Sequence, residues 1–416
     1  MKRWDRWMLR RLEAFVQWEG RKFLHLQPGY EESFLEIDQQ KKPVHSMYLH
    51  IPFCRQLCPY CSFNRVAYEP VLVKAYFEAL KKEISHYAQA GYAFTHVYLG
   101  GGTPTVDVEL LLDLLTFTRS QFPIEQISLE TNPADLNGAT IEGLQKADIQ
   151  RLSLGVQSFN DTMLKSLGRL SHDGKTAMQN IAKVKGLFDT VNIDLMYNFP
   201  SQTMEHFLED IRIFKSLDIE QVTFYPLMPS PHKKTALERR FSRVDPSREM
   251  EFYQVLLDEM LEVYHPSTVW CFSRGERIID EYIIEYDDYA GLGAGSVGFI
   301  DGVFLVNAFK PERYIEQINQ DRNAVVYHTR SSRKDHARYQ MLTRLFGMKW
   351  NWKEHQQLFG KVLWPEVAML KTAGIVEEKD GTLIPTRKGM YYVSIMMKNF
   401  FATLNGLREE CISSGV

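Results

Sequence analysis

The sequence contains no uninterrupted apolar run of 18 residues, no large excess of charge of one sign and few cysteines. A transmembrane helix requires such an apolar run, so none is predicted. The first residues, Met1 to Trp7, lack the apolar core of a secretory signal peptide. A formal net charge of −3 over 416 residues provides no overall attraction to nucleic acid or to an anionic membrane.

The composition is that of a soluble globular protein, with 44% hydrophobic and 24% charged residues. The length suffices for one large core with appended segments. Only five residues are cysteine, and three of them lie within eight positions, at Cys54, Cys58 and Cys61. Because Cys271 and Cys411 form no obvious disulfide framework, we expect a reducing, cytoplasmic compartment.

The clustered cysteines have the spacing C-x3-C-x2-C and follow a short β-rich run at 47–51, which predicts a loop leaving a strand. Three thiolates this close together can surround one inorganic centre, and iron–sulfur clusters are held by thiolates. Three protein ligands on a four-iron cluster leave one iron open, as catalytic metal sites do. A zinc site is the alternative, but Cys271 is distant in sequence and His50 lies on the preceding strand.

Short apolar runs alternate with helical patterns between residues 46 and 225, which predicts parallel βαβ units with right-handed crossovers. The predicted strands are at 47–51, 96–99, 126–130, 151–154, 191–195 and 221–225. The predicted helices are at 72–90, 106–121, 138–146, 175–188 and 203–216. Six such units form an α/β fold, a partial (β/α)6 barrel open on one side, with its chemistry at the carboxyl ends of the strands.

Two motifs accompany the cysteines: Tyr48-Leu-His-Ile-Pro-Phe-Cys before them, and Gly100-Gly-Gly-Thr-Pro-Thr after the second strand. Together they resemble the radical S-adenosylmethionine (SAM) enzymes of the anaerobic coproporphyrinogen oxidase group. The match runs from about residue 45 to 230 and continues more weakly to the C-terminus. The resemblance implies a [4Fe–4S] cluster on Cys54, Cys58 and Cys61, with SAM on the fourth iron.

The resemblance also implies a reductant, such as flavodoxin or ferredoxin, that supplies the electron for SAM cleavage. Tyr48 is implied as a catalytic residue beside the sulfonium. Glycines let a ligand approach the backbone, and their N–H groups can meet a carboxylate. Accordingly, Gly101, Gly102 and Thr103 are implied to bind the amino and carboxylate ends of SAM. The alternative for this loop is a plain turn.

Polar residues at the next strand ends complete the implied cofactor site. Glu130 is assigned to the ribose of SAM, and its alternative is a solvated strand end. Gln157, Arg169 and Asp194 are assigned to a second SAM molecule, and the alternative for Gln157 and Asp194 is structural hydrogen bonding in loops. Tyr60 would contribute to the same second site, together with the Gly102–Thr103 pair.

The chain divides into four predicted parts: an aromatic and basic arm at 1–44, the barrel at 45–235, a barrel-closing helix and β region at 236–330, and a C-terminal α+β extension at 331–416. The last part resembles a winged-helix module, with helices near 334–347, 352–359 and 363–373, a hairpin near Gly381 and a Met- and Phe-rich helix at 390–401. A winged helix can bind DNA. The neutral charge favours a lid or an interaction module instead, so no nucleic-acid partner is expected.

The substrate is approached by elimination among branches of the family. Phe63 stands where the decarboxylating oxidase has another cysteine, and residues 279–287 lack the His-Asn-x-x-Tyr-Trp segment of the heme chaperone. We therefore expect a tetrapyrrole, heme or porphyrin, that is methylated or opened in anaerobic heme utilisation. It would lie between the N-terminal arm and the helix at 390–401. Coproporphyrinogen III decarboxylation, natural-product methylation or cyclopropanation, and non-catalytic heme carriage are the alternatives.

Overall fold

The computed structural model describes residues 26–29, 43–228, 246–275 and 282–413. At its centre six parallel strands lie side by side in chain order, as the alternating pattern predicts. They are β1 (Ser46–Ile51), β2 (His96–Gly101), β3 (Gln126–Thr131), β4 (Arg151–Gln157), β5 (Thr190–Tyr197) and β6 (Gln221–Pro226). Most of the arm predicted at 1–44, and with it one half of the expected substrate clamp, lies outside the described residues.

Helices on the outside connect these strands, and capping side chains fix where several of them begin. Glu69, for example, accepts hydrogen bonds from the N–H groups of Val71 and Leu72, which the helix itself leaves unpaired. Helix α4 is absent from the predicted pattern, because its seven residues are too few to show a clear period. The connecting helices are α1 (Pro70–Gln89), α2 (Val108–Gln121), α3 (Gly138–Lys146), α4 (Asp161–Leu167), α5 (Gly174–Val184) and α6 (Met204–Leu217).

Strand β4 extends to Gln157, three residues beyond its predicted end at 154, so Gln157 lies within the strand and not on the loop after it. Glu130 and Asp194 lie within β3 and β5, inside the predicted ranges. The register pairs Asp194 with Gly155 and Gln157 with Leu195. Pairing with neighbouring strands thus holds polar residues whose own strand propensity is low, and it gives them fixed positions at the barrel's end.

Helix α7 (Pro246–Met260) follows the sixth strand, where the sequence predicts a barrel-closing helix. It packs beside α6, where the rings of Phe207 and Phe252 lie 5.2 Å apart and Lys215 Nζ lies 2.8 Å from Glu259 Oε2. Helix α7 therefore continues the outer layer of helices. The segment beside the barrel's open end is a later helix, described below.

Further strands extend the sheet beyond both of its parallel edges. Next to β6, strand β7 (Cys271–Ser273) pairs in the antiparallel direction. Next to β1, strand β8 (Tyr289–Leu292) pairs in the parallel direction and leads into an antiparallel set. That set and its flanking helices are α8 (Tyr282–Glu285), β9 (Val297–Ile300), β10 (Val303–Asn307), α9 (Pro311–Asn319) and β11 (Val325–Arg330).

The C-terminal part has the element order of a winged-helix module, three helices followed by a hairpin. The two-residue strand Trp350–Asn351 adds a third strand to that hairpin. The elements are α10 (Arg333–Phe346), α11 (Trp352–Phe359), α12 (Trp364–Thr372), β12 (Val376–Lys379) and β13 (Thr382–Pro385).

The chain then returns to the barrel as one long helix, α13 (Arg387–Ser413), which exceeds the 390–401 segment predicted from sequence. Ser394 Oγ accepts a 2.7 Å hydrogen bond from Trp270 Nε1, which lies just before β7. Further along the helix, Phe401 and Asn405 face the cavity at the end of the barrel. Helix α13 thus occupies the position expected of the barrel-closing element. Among the described residues, no helix is both long and apolar enough to cross a membrane.

Gly174, the first residue of α5, allows a close backbone contact behind the loop after β4. A Cβ atom there would lie 2.0 Å from the carbonyl oxygen of Phe159. We expect Gly174→Ala to lower the free energy of unfolding by about 3 kcal/mol, because backbone atoms must move apart. Gly138 is the first residue of α3 with open space around it, so Gly138→Ala should change that energy by less than about 0.5 kcal/mol. Urea unfolding measures both, and equal values would contradict the clash.

Candidate active site

A cavity of about 700 Å³ lies at the carboxyl ends of the parallel strands. Every residue that the sequence assigned to cofactor or metal binding lines this cavity, although the residues come from widely separated parts of the chain. They are Tyr48, Cys54, Cys58, Tyr60, Cys61, Gly101, Gly102, Thr103, Glu130, Gln157, Arg169 and Asp194. The fold therefore brings the whole predicted set together, and their individual roles stay predictions.

The cysteine loop, residues 52–65, leaves β1 and is held against the barrel by its own backbone. Phe53–Cys54 pairs with Val66–Ala67, which closes the loop at its base. The Arg65 guanidinium donates to the carbonyl oxygens of Cys58 and Cys61, the latter at 3.0 Å. Cys54 and Cys58 are buried and Cys61 is partly exposed. The three thiols therefore share one semi-enclosed space.

The chemistry of these thiols favours a cluster over a single ion. Burial raises the pKa of Cys54 to about 11, so the free thiol stays protonated at neutral pH and ionises when it binds a metal. In the part of the chain that the structure describes, no three His, Cys, Asp or Glu side chains are arranged to hold one metal ion. A structural zinc ion takes four protein ligands, whereas an iron–sulfur cluster lets each of three thiolates bind a different iron.

Tyr48 is oriented by a chain of hydrogen bonds that begins in the cysteine loop. Its hydroxyl lies 2.8 Å from His50 Nδ1, and His50 Nε2 lies 2.8 Å from the carbonyl oxygen of Asn64. Because a carbonyl can only accept, Nε2 carries the proton and Nδ1 accepts from the tyrosine. Burial lowers the pKa of His50 to about 4, which keeps the imidazole neutral in this role.

The glycine loop after β2 packs tightly on the cysteine loop. A Cβ at Gly102 would lie 2.7 Å from the Phe53 carbonyl oxygen, and Gly101 has φ +114°. The N–H groups of Gly102 and Thr103 donate to Ile51 O (2.8 Å) and Phe53 O (2.9 Å). These two N–H groups therefore take part in the fold, and the glycines allow the close approach of the two loops. The assignment of Gly101, Gly102 and Thr103 to SAM stays a prediction.

Glu130 lies beneath that loop, in a position to accept from a ligand hydroxyl. Its Oε1 accepts from Tyr98 (3.0 Å) and its Oε2 accepts from the Gly101 N–H (3.2 Å). Burial raises the pKa of Glu130, and these two hydrogen bonds oppose that shift. An ionised carboxylate has further lone pairs to offer, so it can bind a ribose as well as its two protein donors.

Two of the residues assigned to a second SAM, Asp194 and Arg169, line the same cavity and are held there by hydrogen bonds. Asp194 accepts hydrogen bonds from Ser153 Oγ (3.0 Å) and Asn192 Nδ2 (2.8 Å). Arg169 donates to Gly155 O at 2.5 Å and approaches Cys58 Sγ at 3.5 Å. Its Nε is buried and has no hydrogen-bond partner within the described ranges. A buried guanidinium with an unused donor suits an anionic ligand.

Gln157 ends β4 in the left-handed backbone region, with φ 72°. That conformation is unfavourable for a residue with a side chain, and such strain concentrates at functional sites. His172 faces away from the cavity, since its Nε2 lies 3.2 Å from Val156 O and it is absent from the lining.

The cavity is polar toward β2–β5 and apolar on its opposite side. The apolar side consists of Met196, Tyr225, Leu227, Met228, Trp270 and Phe401. The rings of Trp270 and Phe401 lie 6.0 Å apart at 32°, and the hydrogen bond to Ser394 fixes the buried indole. Sequence reasoning missed Trp270, Arg65 and Asn405 as lining residues. Only Arg65 carried a local signal, because it is the last residue of the cysteine loop.

Comparison with known proteins agrees with this barrel and its cysteine loop. Residues 48–214 match the radical SAM superfamily. The chain is 30% identical over 290 residues to the heme chaperone HemW of Bacillus subtilis (strain 168), covering 66% of this chain and 76% of that protein. It is 26% identical over 323 residues to the oxygen-independent coproporphyrinogen III oxidase of Escherichia coli (strain K12), covering 71% and 70%.

A solved structure with the same fold is coproporphyrinogen III oxidase (HemN) from Escherichia coli, with a TM-score of 0.76 at 22% identity, covering 90% of this chain and 95% of that one. The barrel and its cavity define a radical SAM protein. Within that superfamily, the chain belongs to the coproporphyrinogen III oxidase-like group, which includes proteins named as oxidases and as heme chaperones.

The buried neutral state of His50 predicts a pH-dependent stability. Its folded pKa of about 4 lies below the ordinary 6.5, so the stabilisation is complete above pH 6.5 and declines as the pH falls toward 4. Between pH 7 and pH 5 we expect the parent to lose about 2 kcal/mol of unfolding free energy that His50→Gln does not lose. Urea unfolding at both pH values measures the difference. Parallel losses in the two proteins would exclude His50 as the source.

Proposed function

We propose that this protein is a radical SAM enzyme that acts on a tetrapyrrole, either heme or a porphyrin. The observation that carries the proposal is one cavity that combines the three loop thiols, the residues assigned to SAM and an aromatic wall of Trp270 and Phe401. Among the branches of the family, we favour methylation or opening of heme in anaerobic heme utilisation. Phe63, exposed at the cavity where the oxidase has a cysteine, supports a reaction other than decarboxylation.

In this proposal Cys54, Cys58 and Cys61 hold a [4Fe–4S] cluster, and SAM takes the iron without a protein ligand. When bound, the reduced cluster and SAM supply an organic radical that removes a hydrogen atom from the substrate. A one-electron donor such as flavodoxin or ferredoxin would deliver the electron. Helix α13 and the apolar side of the cavity would exclude water and oxygen from that chemistry.

The chain's own residues orient the cofactor. The Tyr48 hydroxyl, which donates to His50, presents its remaining lone pair and its ring to the sulfonium end of SAM. Glu130, already fixed by Tyr98 and Gly101, accepts from the ribose hydroxyls. Gln157, Arg169 and Asp194, with Tyr60 and the Gly102–Thr103 pair, would contact a second SAM, which a methyl transfer could use as its methyl source.

Heme carriage is the second candidate, because the relatives with 30% identity are named heme chaperones. The two functions differ in turnover. An enzyme should release 5′-deoxyadenosine or methylthioadenosine from SAM in a heme- or porphyrin-dependent manner, once its cluster is rebuilt without oxygen and reduced. A carrier should bind heme tightly and leave SAM intact. The mass of the product then separates loss of CO2, addition of a methyl group and ring opening.

Replacement of a loop cysteine tests the cluster assignment. We expect Cys58→Ser to lose most of the bound iron and at least 100-fold in SAM cleavage, since one iron loses its thiolate. Cys271→Ser is the matched control, because Cys271 is buried in β7 and does not line the cavity. It should keep both properties. Iron analysis and chromatography of the nucleoside products provide the measurements, and full iron content in Cys58→Ser would refute the assignment.

The aromatic wall predicts how substrate binding responds to mutation. Phe401→Ala should weaken heme or coproporphyrin binding about tenfold, because a flat macrocycle loses a contact of roughly 1.4 kcal/mol. Phe401→Trp should retain it. Trp364 is exposed on α12 outside the cavity, so Trp364→Ala controls for non-specific adsorption. Titrations followed by Soret absorbance measure the affinities. Equal affinities in all four proteins would place the macrocycle elsewhere.

A further inference from the structure

Three arginines surround the cysteine loop, and none of them forms an ion pair with a carboxylate of the described residues. Arg65 donates to the carbonyl oxygens of Cys58 and Cys61. Arg169 approaches Cys58 Sγ at 3.5 Å. Arg408, from helix α13, reaches the loop through Asn64, whose Oδ1 accepts from its Nε at 3.0 Å. The Nε atoms of Arg65 and Arg169 are buried without a partner in the same described part of the chain.

The position of Arg408 is electrostatically unusual. Burial lowers its pKa, repulsion from Arg65 adds to that effect, and attraction to Cys61 and Glu409 opposes it. Two guanidiniums are thus held close to each other in a partly buried place, which costs free energy unless a negative group offsets the charge. The three cysteine side chains become such a group when they are thiolates on a metal centre.

A hydrogen bond to Asn64 of the cysteine loop holds Arg408 in this position. Asn64 is 95% buried, and its Nδ2 donates to Ala294 O (2.8 Å) and Phe309 O (3.0 Å). The amide is therefore fixed in the orientation that turns its Oδ1 toward the helix. The Nε of Arg408 donates a hydrogen bond to that oxygen, so the guanidinium charge is held at the edge of the loop. The two residues are 344 positions apart in sequence.

We propose that Arg408, delivered by helix α13 and acting with Arg65, raises the reduction potential of the cluster on the cysteine loop. This inference rests on the proposed function, because it requires the cluster. Net charge around an iron–sulfur cluster is one of the factors that set its potential. In the step concerned, one electron passes from an external one-electron donor protein to the cluster, which gains one negative charge while no bond is formed or broken. A nearby fixed cation stabilises that added charge.

The test is a redox titration of the cluster in the full-length chain, without SAM, followed by electron paramagnetic resonance with dithionite as reductant. We expect Arg408→Gln to move the midpoint potential of the cluster by about 59 mV in the negative direction. At the midpoint potential of the parent, the ratio of reduced to oxidised cluster in this variant would then be about tenfold lower. Arg408→Lys keeps the charge and should stay within about threefold of the parent. Glu409→Gln removes a neighbouring negative charge and should shift the ratio upward.

Arg387→Gln is the matched control, because Arg387 lies on the same helix and pairs with Asp258 on the outer surface. The two arginines are about 30 Å apart along the helix, which is about three screening lengths at 0.1 M salt. Arg387→Gln should therefore leave the reduction potential of the cluster unchanged. Equal shifts in Arg408→Gln and Arg408→Lys would assign the effect to the hydrogen bond with Asn64 and overturn the charge proposal. If Arg408→Gln binds too little iron, Arg408→Lys and Glu409→Gln decide.

The outcomes separate this inference from the function on which it rests. A parent protein without the signal of a reduced [4Fe–4S] cluster would contradict the proposed function itself. A parent with that signal, whose potential matches those of Arg408→Gln and Glu409→Gln, would contradict only the role of Arg408.

Discussion

The side chain and carbonyl of Asn64 connect the cysteine loop to three other parts of the molecule. The Nδ2 group binds the backbone after β8 and after β10, the carbonyl accepts from His50 on β1, and the Oδ1 accepts from Arg408 on α13. A loop of this length has few backbone hydrogen bonds of its own, so its shape depends on such external ties. Asn64 supplies them at one buried point, and the positions of the thiols and of Tyr48 follow from it.

The cavity combines two environments that come from different structural sources. Its polar side consists of side chains on paired strands, where Asp194 and Glu130 each accept two hydrogen bonds from the protein. Its apolar side is built around Trp270, which lies just before β7 and is fixed by contacts with Ser394 and Phe401 of α13. Side chains fixed in this way need little rearrangement when a ligand binds. Rigid side chains around the ligand also keep the reacting atoms in a defined geometry.

Sequence patterns predicted the barrel well because six apolar runs become six adjacent parallel strands, and every assigned site residue lies at their ends. They predicted strand ends less well, since Gln157 is kept in its strand by pairing with Leu195 and not by propensity. They did not indicate that α13 reaches the cavity, because nothing local distinguishes that helix from α7. Trp270 and Arg408 could not be found at all, as each is positioned by a contact with a residue more than a hundred positions away in sequence.

The long separation between Asn64 and Arg408 has a consequence for biosynthesis. The ribosome completes the barrel, with its thiols, well before it makes helix α13, so the nascent pocket lacks one wall during translation. Assembly machinery that delivers iron and sulfide can therefore reach the thiols directly while synthesis continues. Once α13 docks, Phe401 and Asn405 line the same cavity and narrow the approach to the thiols. Repair in the mature protein is thus expected to be slower than first assembly.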